Sequence, residues 1–67
     1  MLNLTDMRVG SVIRVRPDWG TAPAVEATVL ELCSNIKNGR PGIDYRRKGG
    51  EFDNWAYLDA VDCVLKY

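Results

Sequence analysis

The sequence is poor in the residues from which most catalytic and metal sites are built. It contains no histidine and only two cysteines, and these do not form a C-x-x-C pair. A zinc site would need ligands that the chain does not have. There is no G-x-S-x-G motif and no phosphate-binding glycine loop, and the glycines of NGRPG and KGG are typical of turns. We therefore expect neither an enzyme nor a protein that carries a metal or another cofactor.

Excess charge and long apolar runs are missing as well. Nine basic and nine acidic residues cancel, so no overall field attracts the protein to nucleic acid or to an anionic membrane. No window approaches the ~20 apolar residues of a membrane-spanning helix, and the opening residues MLNLTDMRVG lack a basic segment followed by an apolar stretch. We expect a cytoplasmic protein without membrane contact, in which Cys33 and Cys63 are free, buried thiols and do not form a disulfide.

The composition is that of a folded protein. The 67 residues are 46% hydrophobic and 27% charged, and the apolar residues are spread along the chain without a repeat or a linker. Such a composition is typical of a globular domain and not of a disordered segment. A chain of this length can bury only a small core. We therefore expect a single domain over residues 1–67.

Short alternating segments predict β-strands. In SVIRVRP, Ile13 and Val15 share one face, and the arginines share the other, as in a strand with one buried face. The segment AVEATVLELC changes phase near Val29 and Leu30, which predicts a β-bulge at that point. The connection DWGTAP between the two strands is rich in loop-forming residues and projects Trp19.

An Asn-Gly dipeptide at 38–39 predicts the turn of the next hairpin. Both central residues of a type I′ turn need a positive φ, and Asn-Gly is the preferred pair there. A two-residue loop places Glu31 opposite Arg46. It also places Leu32 opposite Tyr45, so that this tyrosine faces the core. Pro41 beside the turn and Gly42 just inside the strand predict that the end of this hairpin is frayed or bulged.

A Gly-Gly dipeptide at 49–50 predicts the following turn. A two-residue loop there places Arg46 opposite Asp53 and Asp44 opposite Trp55. Arg46 would then have acidic partners on both neighbouring strands, a favourable cross-strand arrangement.

The face on which Trp55 and Tyr57 lie depends on one residue of loop length. With a two-residue loop, both rings lie on the outward face, which also carries Asp44 and Asp53. With one more residue, or a bulge, both rings turn into the core. Burial of a large aromatic side chain stabilises a small domain by ~2–3 kcal/mol. This gain favours burial of at least one of the two rings.

The order of these elements resembles an SH3-like small barrel. A single helical turn in DAVDC and a last strand in CVLKY complete the pattern. The resemblance is carried by GSVIRV at 10–15, AVEATVLEL at 24–32, GIDYRRKGG at 42–50 and WAYLDAVDCVL at 55–65. It is most similar to the Tudor and KOW arrangement, and the chain also looks like short hypothetical proteins of bacterial and phage genomes. The expected fold class is all-β: a single SH3-like barrel of about five antiparallel strands with one short 3-10 turn before the last strand.

The resemblance implies binding and not catalysis. Tudor-type barrels hold methylated lysine or arginine in aromatic cages, and KOW-type barrels contact RNA or ribosomal and polymerase partners. Carried over to this chain, the candidate contacts for a protein or peptide partner are Trp19, Trp55, Tyr57, Asp44 and Asp53. A fourth ring, Tyr45, is expected to face the core instead. The ordinary structural interpretation of all these rings is that they lie in the core or at its edge.

Two alternatives come from the residues themselves. The segment around the first hairpin concentrates basic side chains beside a tyrosine, a combination that can bind RNA or single-stranded DNA through phosphate contacts and base stacking. These basic residues are Lys37, Arg40, Arg46, Arg47 and Lys48. With zero net charge, the same segment can also be an ordinary solvated hairpin. The other alternative is a homodimer, because an open small barrel leaves strand edges that can pair between copies.

Overall fold

The computed structural model describes residues 2–67, so Met1 of the expected 1–67 domain lies outside the described residues. Five antiparallel strands form one sheet, and a 3-10 turn directly precedes the last strand. The strands are β1 (Val12–Val15), β2 (Val25–Lys37), β3 (Arg40–Arg47), β4 (Asp53–Tyr57) and β5 (Val61–Lys66), and the 3-10 turns are Leu4–Asp6 and Leu58–Ala60. The all-β expectation is confirmed, and β5 begins two residues before the predicted CVLKY.

The sheet is strongly curved around one core. Its strand order is β4-β3-β2-β1-β5, yet the core takes Ala56 from one edge strand and Val61 from the other. The two edges can share a core only if the sheet curls, and the long β2, which pairs with both β1 and β3, provides the bend. The core residues are Met7, Ile13, Val15, Ala27, Val29, Ile43, Tyr45, Ala56, Ala60 and Val61.

The alternation predicted for β1 is confirmed. Ile13 and Val15 are fully buried, whereas Arg14 and Arg16 are exposed. Each buried aliphatic side chain contributes about 1.5–3 kcal/mol relative to an exposed one. β1 lies between β2 and β5 in the sheet, so it is not an edge strand.

The β2–β3 hairpin has the predicted turn. Asn38 has a φ of 55° and Gly39 a φ of 71°, the positive values that a type I′ turn requires. Lys37 and Arg40 pair directly across this turn. The local chemistry of the dipeptide therefore determined the turn.

Beyond the turn, the predicted register of this hairpin is wrong. A shift between Cys33 and Lys37 places Glu31 opposite Asp44, and Leu32 opposite Ile43. The irregularity itself is the one predicted at Pro41, which has no N–H for the ladder. The expected pairs of Glu31 with Arg46 and of Leu32 with Tyr45 are therefore not formed.

A second shift in β2 is the predicted bulge. It lies between Val29 and Glu31, where the alternation of the sequence changes phase. On the N-terminal side of this bulge, Val29 is opposite Tyr45 and Thr28 is opposite Arg46. Tyr45 still faces the core, as expected, but it packs at a different level of β2.

The predicted β3–β4 register is confirmed, although the predicted two-residue Gly-Gly loop is wrong. The strands are joined by residues 48–52, and the Gly50 N–H donates to the Arg47 carbonyl at 2.8 Å, so the turn is centred on Lys48 and Gly49. Arg46 is opposite Asp53, and Asp44 is opposite Trp55. Arg46 Nη2 lies 2.7 Å from Asp53 Oδ1. Side chains two residues apart on a strand share a face, so Tyr57 joins Trp55 on the outward face.

A buried serine ties the chain ends together and gives a first stability prediction. The Ser11 hydroxyl accepts a hydrogen bond from the Arg8 backbone N–H at 2.8 Å and donates one to the Tyr67 backbone oxygen at 2.9 Å. Ser11 is 0% exposed, so Ser11→Ala leaves both partners poorly satisfied. We expect the free energy of unfolding to fall by about 1–2 kcal/mol in urea denaturation. The exposed Ser34→Ala is the control, and equal midpoints for the two variants would contradict the role given to Ser11.

Candidate functional site

Three aromatic side chains from two separate parts of the chain meet on the outward face of the sheet. Trp55 and Tyr57 come from β4, and Trp19 comes from the β1–β2 connection. The ring centroids of Trp19 and Trp55 are 5.3 Å apart, as are those of Trp55 and Tyr57, and both pairs are T-shaped. Trp19 and Tyr57 are 6.2 Å apart. These distances are typical of aromatic pairs in direct contact. We call Trp19, Trp55 and Tyr57 the aromatic cluster.

Neither ring of β4 enters the core. Trp55 and Tyr57 are half-buried and lie outside the core cluster, on the face that the two-residue loop predicts. The expected core burial of at least one of these two rings is therefore wrong. Tyr45 occupies the core instead, and the two β4 rings gain their burial from each other and from Trp19.

The loop that carries Trp19 has an unusual backbone. Asp18, Trp19 and Gly20 have φ values of 55°, 61° and 84°, and left-handed conformations are unfavourable for residues other than glycine. The backbone N–H groups of Gly20 and Ala22 both donate to the Pro17 carbonyl at 3.2 Å. These bonds hold a strained turn that places Trp19 against β4 while leaving it 77% exposed.

Two cations of the chain already lie on the cluster. Lys37 Nζ is 4.9 Å from the centroid of Trp55, and the Arg40 guanidinium is 4.0 Å from that of Tyr57. Asp59 holds Arg40 there through an ion pair of 2.6 Å. Because the rings touch one another, no cation fits between them, and the cluster is a packed surface and not an open cage.

The two candidate aspartates have different surroundings. Asp53 is bound by Arg46. Asp44 is half-buried, faces Trp55 on one neighbouring strand and Glu31 on the other, and has no ion pair within 4.0 Å among residues 2–67. The sequence did not show this pairing of like charges, because it results from the shifted register of β2.

The five basic candidates do not form one surface. Lys37 and Arg40 lie at the Asn-Gly turn, and the other three lie at the opposite end of β3. The eight residues of β3 span about 25 Å at strand spacing. Lys48 lies 3.6 Å from Glu26, which leaves Arg47 as the one member without an ion pair or a ring partner among the described residues.

A groove of about 600 Å³ adjoins the aromatic cluster. Residues 53–57 form one wall and residues 16–20 form another, and Tyr45, Arg47, Asp59 and Ala60 complete the lining. Sequence reasoning missed Asp18 and Arg47 as groove residues and placed Tyr45 only in the core. No local pattern indicates this groove, since its walls are far apart in the sequence.

Comparison of the chain with protein-family models, with curated proteins and with solved structures found no match. The function is therefore argued from the geometry of the aromatic cluster and the groove. Within residues 2–67, no three or more His, Cys, Asp or Glu side chains are grouped so as to hold a metal ion. No helix in this part of the chain has the length and apolar character needed to cross a bilayer.

The acidic pair beside Trp55 leads to a reactivity prediction for Cys33. Both cysteines are free and half-buried, less buried than expected. Partial burial raises the pKa of the Cys33 thiol, and Asp44 and then Glu31 raise it further. Because the thiolate is the reactive form, Asp44→Asn is expected to lower this pKa and to speed alkylation of Cys33 by iodoacetamide at mildly alkaline pH. Peptide mass spectrometry measures the rate. The control is Glu51→Gln, and an equal acceleration in both variants would contradict the effect of Asp44 on the pKa of Cys33.

Proposed function

We propose that the protein is a small non-catalytic binding module of SH3-like architecture that recognises a protein or peptide partner through the aromatic cluster and the adjoining groove. The observation that carries the proposal is the state of Trp19. It is 77% exposed, yet its position is defined by a hydrogen-bonded turn and by contacts with Trp55 and Tyr57.

An exposed tryptophan in a defined position suits recognition. Tryptophan and tyrosine are enriched among the residues that dominate binding energy. A ring that is already ordered loses little conformational entropy when a partner covers it. The groove beside it, at about 600 Å³, is within the usual range of ligand sites, about 300–1,000 Å³.

The rim of the surface is polar. Lys37 and Arg40 lie on the rings of Trp55 and Tyr57, and Asp18 lines the adjoining groove. An apolar centre with a polar rim is the usual organisation of a protein interface. Intramolecular cation–π contacts also show that ring faces of the cluster accept positive groups.

Nucleic-acid binding receives less support. Four of the five basic candidates are engaged within the chain, by carboxylates or by a ring, and they lie at opposite ends of β3. Phosphate binding requires cations that are free to replace counterions along one surface. This alternative stays a prediction, and so does self-association through strand edges.

The test of the proposed function uses short linear peptides of random sequence, displayed on phage and selected against the wild-type protein. Dissociation constants of the selected peptides are then measured with Trp19→Ala. We expect a weakening of at least about tenfold, the effect of losing a central binding residue.

The matched control is Phe52→Ala. Phe52 is 78% exposed, nearly the same fraction as Trp19, but it lies outside the aromatic cluster. It should leave the affinity within about twofold of wild type, because peripheral contacts contribute little. Equal effects of the two substitutions, or a selection without binders, would refute the proposed function.

A further inference from the structure

The groove runs along the free edge of the sheet. β4 is the outermost strand beside β3, and no other strand pairs with it among residues 2–67. Successive residues of a strand point to opposite faces, and all five residues of β4 line the groove. A groove lined by both faces of one strand must follow its edge, where alternate N–H and C=O groups point away from the sheet.

One of the groove residues, Tyr45, has a hydroxyl group that is free to donate a hydrogen bond to a ligand. Tyr45 is only 2% exposed, and its side chain lines the groove. Its hydroxyl has no hydrogen-bond partner among the described residues, and it keeps some accessible surface, since no fully buried side-chain N or O atom in these residues lacks a partner. Burial raises the pKa of the Tyr45 phenol, against a smaller lowering by Arg47 and with a further rise from Asp18. The hydroxyl therefore stays protonated at neutral pH and available to an acceptor.

Two charges of opposite sign flank this hydroxyl. Asp18 lies on the loop wall, and Arg47 lies at the end of β3. Neither forms an ion pair within 4.0 Å in residues 2–67. The other charged residues that line the groove are paired: Arg16 with Asp62, Asp53 with Arg46 and Asp59 with Arg40. Asp18 and Arg47 are thus the groove charges that are left for a partner.

We infer that an extended peptide segment adds to the free edge of β4 as a further strand, with a basic side chain towards Asp18 and an acidic side chain towards Arg47. This inference rests on the proposed function and specifies its binding mode. Backbone hydrogen bonds to β4 supply affinity that does not depend on sequence, and side-chain contacts supply specificity. The five residues of β4 offer about 17 Å of edge, enough for a segment of similar length.

The contacts of the other groove residues follow from this mode. A carbonyl oxygen of the peptide accepts a hydrogen bond from the Tyr45 hydroxyl. Trp19 lines the groove and contacts Trp55 and Tyr57, so in this mode it contacts the added segment. The exposed tryptophan and the free strand edge thus belong to one site.

The first experiment takes a peptide selected as described above and replaces its backbone N–H groups one at a time by N-methyl groups. In an added strand, alternate N–H groups bond to the neighbouring strand. We expect a weakening of at least about tenfold at every second position and about twofold or less between them. A profile without this alternation would overturn strand addition.

The second experiment measures the same peptide with Tyr45→Phe and Arg47→Glu. Tyr45→Phe keeps the buried ring and removes a hydroxyl that has no hydrogen-bond partner in residues 2–67, so the unfolding midpoint should be unchanged while affinity falls about threefold to tenfold. Arg47→Glu should weaken binding by about tenfold and be rescued when the acidic residue of the peptide is replaced by lysine. The control for Arg47→Glu is Lys48→Glu, because Lys48 does not line this groove. Full affinity in Tyr45→Phe, or no rescue of Arg47→Glu, would overturn the inference.

Failure of this inference and failure of the proposed function are distinguishable. Peptides that need Trp19 but show no alternation under N-methylation would leave the binding function standing and remove the strand-addition mode. A selection without binders would remove both.

Discussion

Replacement of Gly42 by alanine is expected to lower the free energy of unfolding by about 3 kcal/mol, the upper end of the cost of overpacking. Gly42 is buried in β3, where a Cβ would overlap the Ala56 carbonyl oxygen of β4 and the Ile36 side chain of β2. The Ile36 Cβ would be 2.9 Å away. A methyl group there must push both neighbouring strands away from β3.

Such a loss is a large part of the total stability of a chain of 67 residues, about 3–10 kcal/mol. It also affects the site, because Gly42 is opposite Tyr57. We therefore expect Gly42→Ala to change the environment of the aromatic cluster, as a shift in tryptophan emission, at urea concentrations where wild type is folded.

Gly50→Ala is the control for this prediction. Gly50 is exposed, and its added Cβ would lie 3.1 Å from the Arg47 carbonyl oxygen, a tight contact that involves no second strand. Gly50→Ala should lower the free energy of unfolding by less than about 1 kcal/mol. Similar urea midpoints for Gly42→Ala and wild type would show that β3 and β4 are not as closely packed as described.

Trp55→Ala is expected to have the largest effect on the candidate site. Trp55 makes T-shaped contacts with both Trp19 and Tyr57 and receives Lys37 on its ring. Each aromatic pair contributes about 0.5–1.5 kcal/mol beyond its buried area, so we expect a loss of about 2–3 kcal/mol in stability. Without this contact the strained turn at Trp19 loses its support, and peptide affinity should fall more than about tenfold.

A double-mutant cycle separates the interaction between the Trp19 and Trp55 rings from the simple loss of buried apolar area. The free energies of unfolding of Trp19→Ala, Trp55→Ala and the double variant should give a coupling of about 0.5–1.5 kcal/mol between the two rings. Tyr57→Phe serves as control, because it keeps all three rings and removes only the exposed hydrogen bond from Asn38 Nδ2 to the Tyr57 hydroxyl. Additive effects of the two tryptophan substitutions would contradict a packed cluster.

The β3–β4 register shows how far local chemistry reaches. Arg46 and Asp53 have opposite charges and lie on either side of the two glycines, and their predicted pairing is the observed one, although the turn is centred on Lys48 and Gly49. This register also placed Trp55 and Tyr57 on the outward face, so part of the candidate site followed from turn geometry.

The β2–β3 hairpin shows the opposite case. Its Asn-Gly turn was predicted, but two irregularities within β2 shifted the pairs on which the expected Glu31–Arg46 contact depended. Both left a sign in the sequence, the first as a change of alternation near Val29 and the second as Pro41 and Gly42 beside the turn. The resulting pairs were not predicted, because the register also depends on contacts between strands that are distant in sequence.

The sequence by itself determined the all-β fold, the buried face of β1, the Asn-Gly turn, the β3–β4 register and the candidate rings, because alternation and turn preference act between residues close together in the chain. Only the tertiary structure decided that Trp19 meets Trp55 and that Asp18, Tyr45 and Arg47 converge on the edge of β4. These contacts join segments that are brought together by the curvature of the sheet, and that curvature is set by bulges and core packing over the whole molecule.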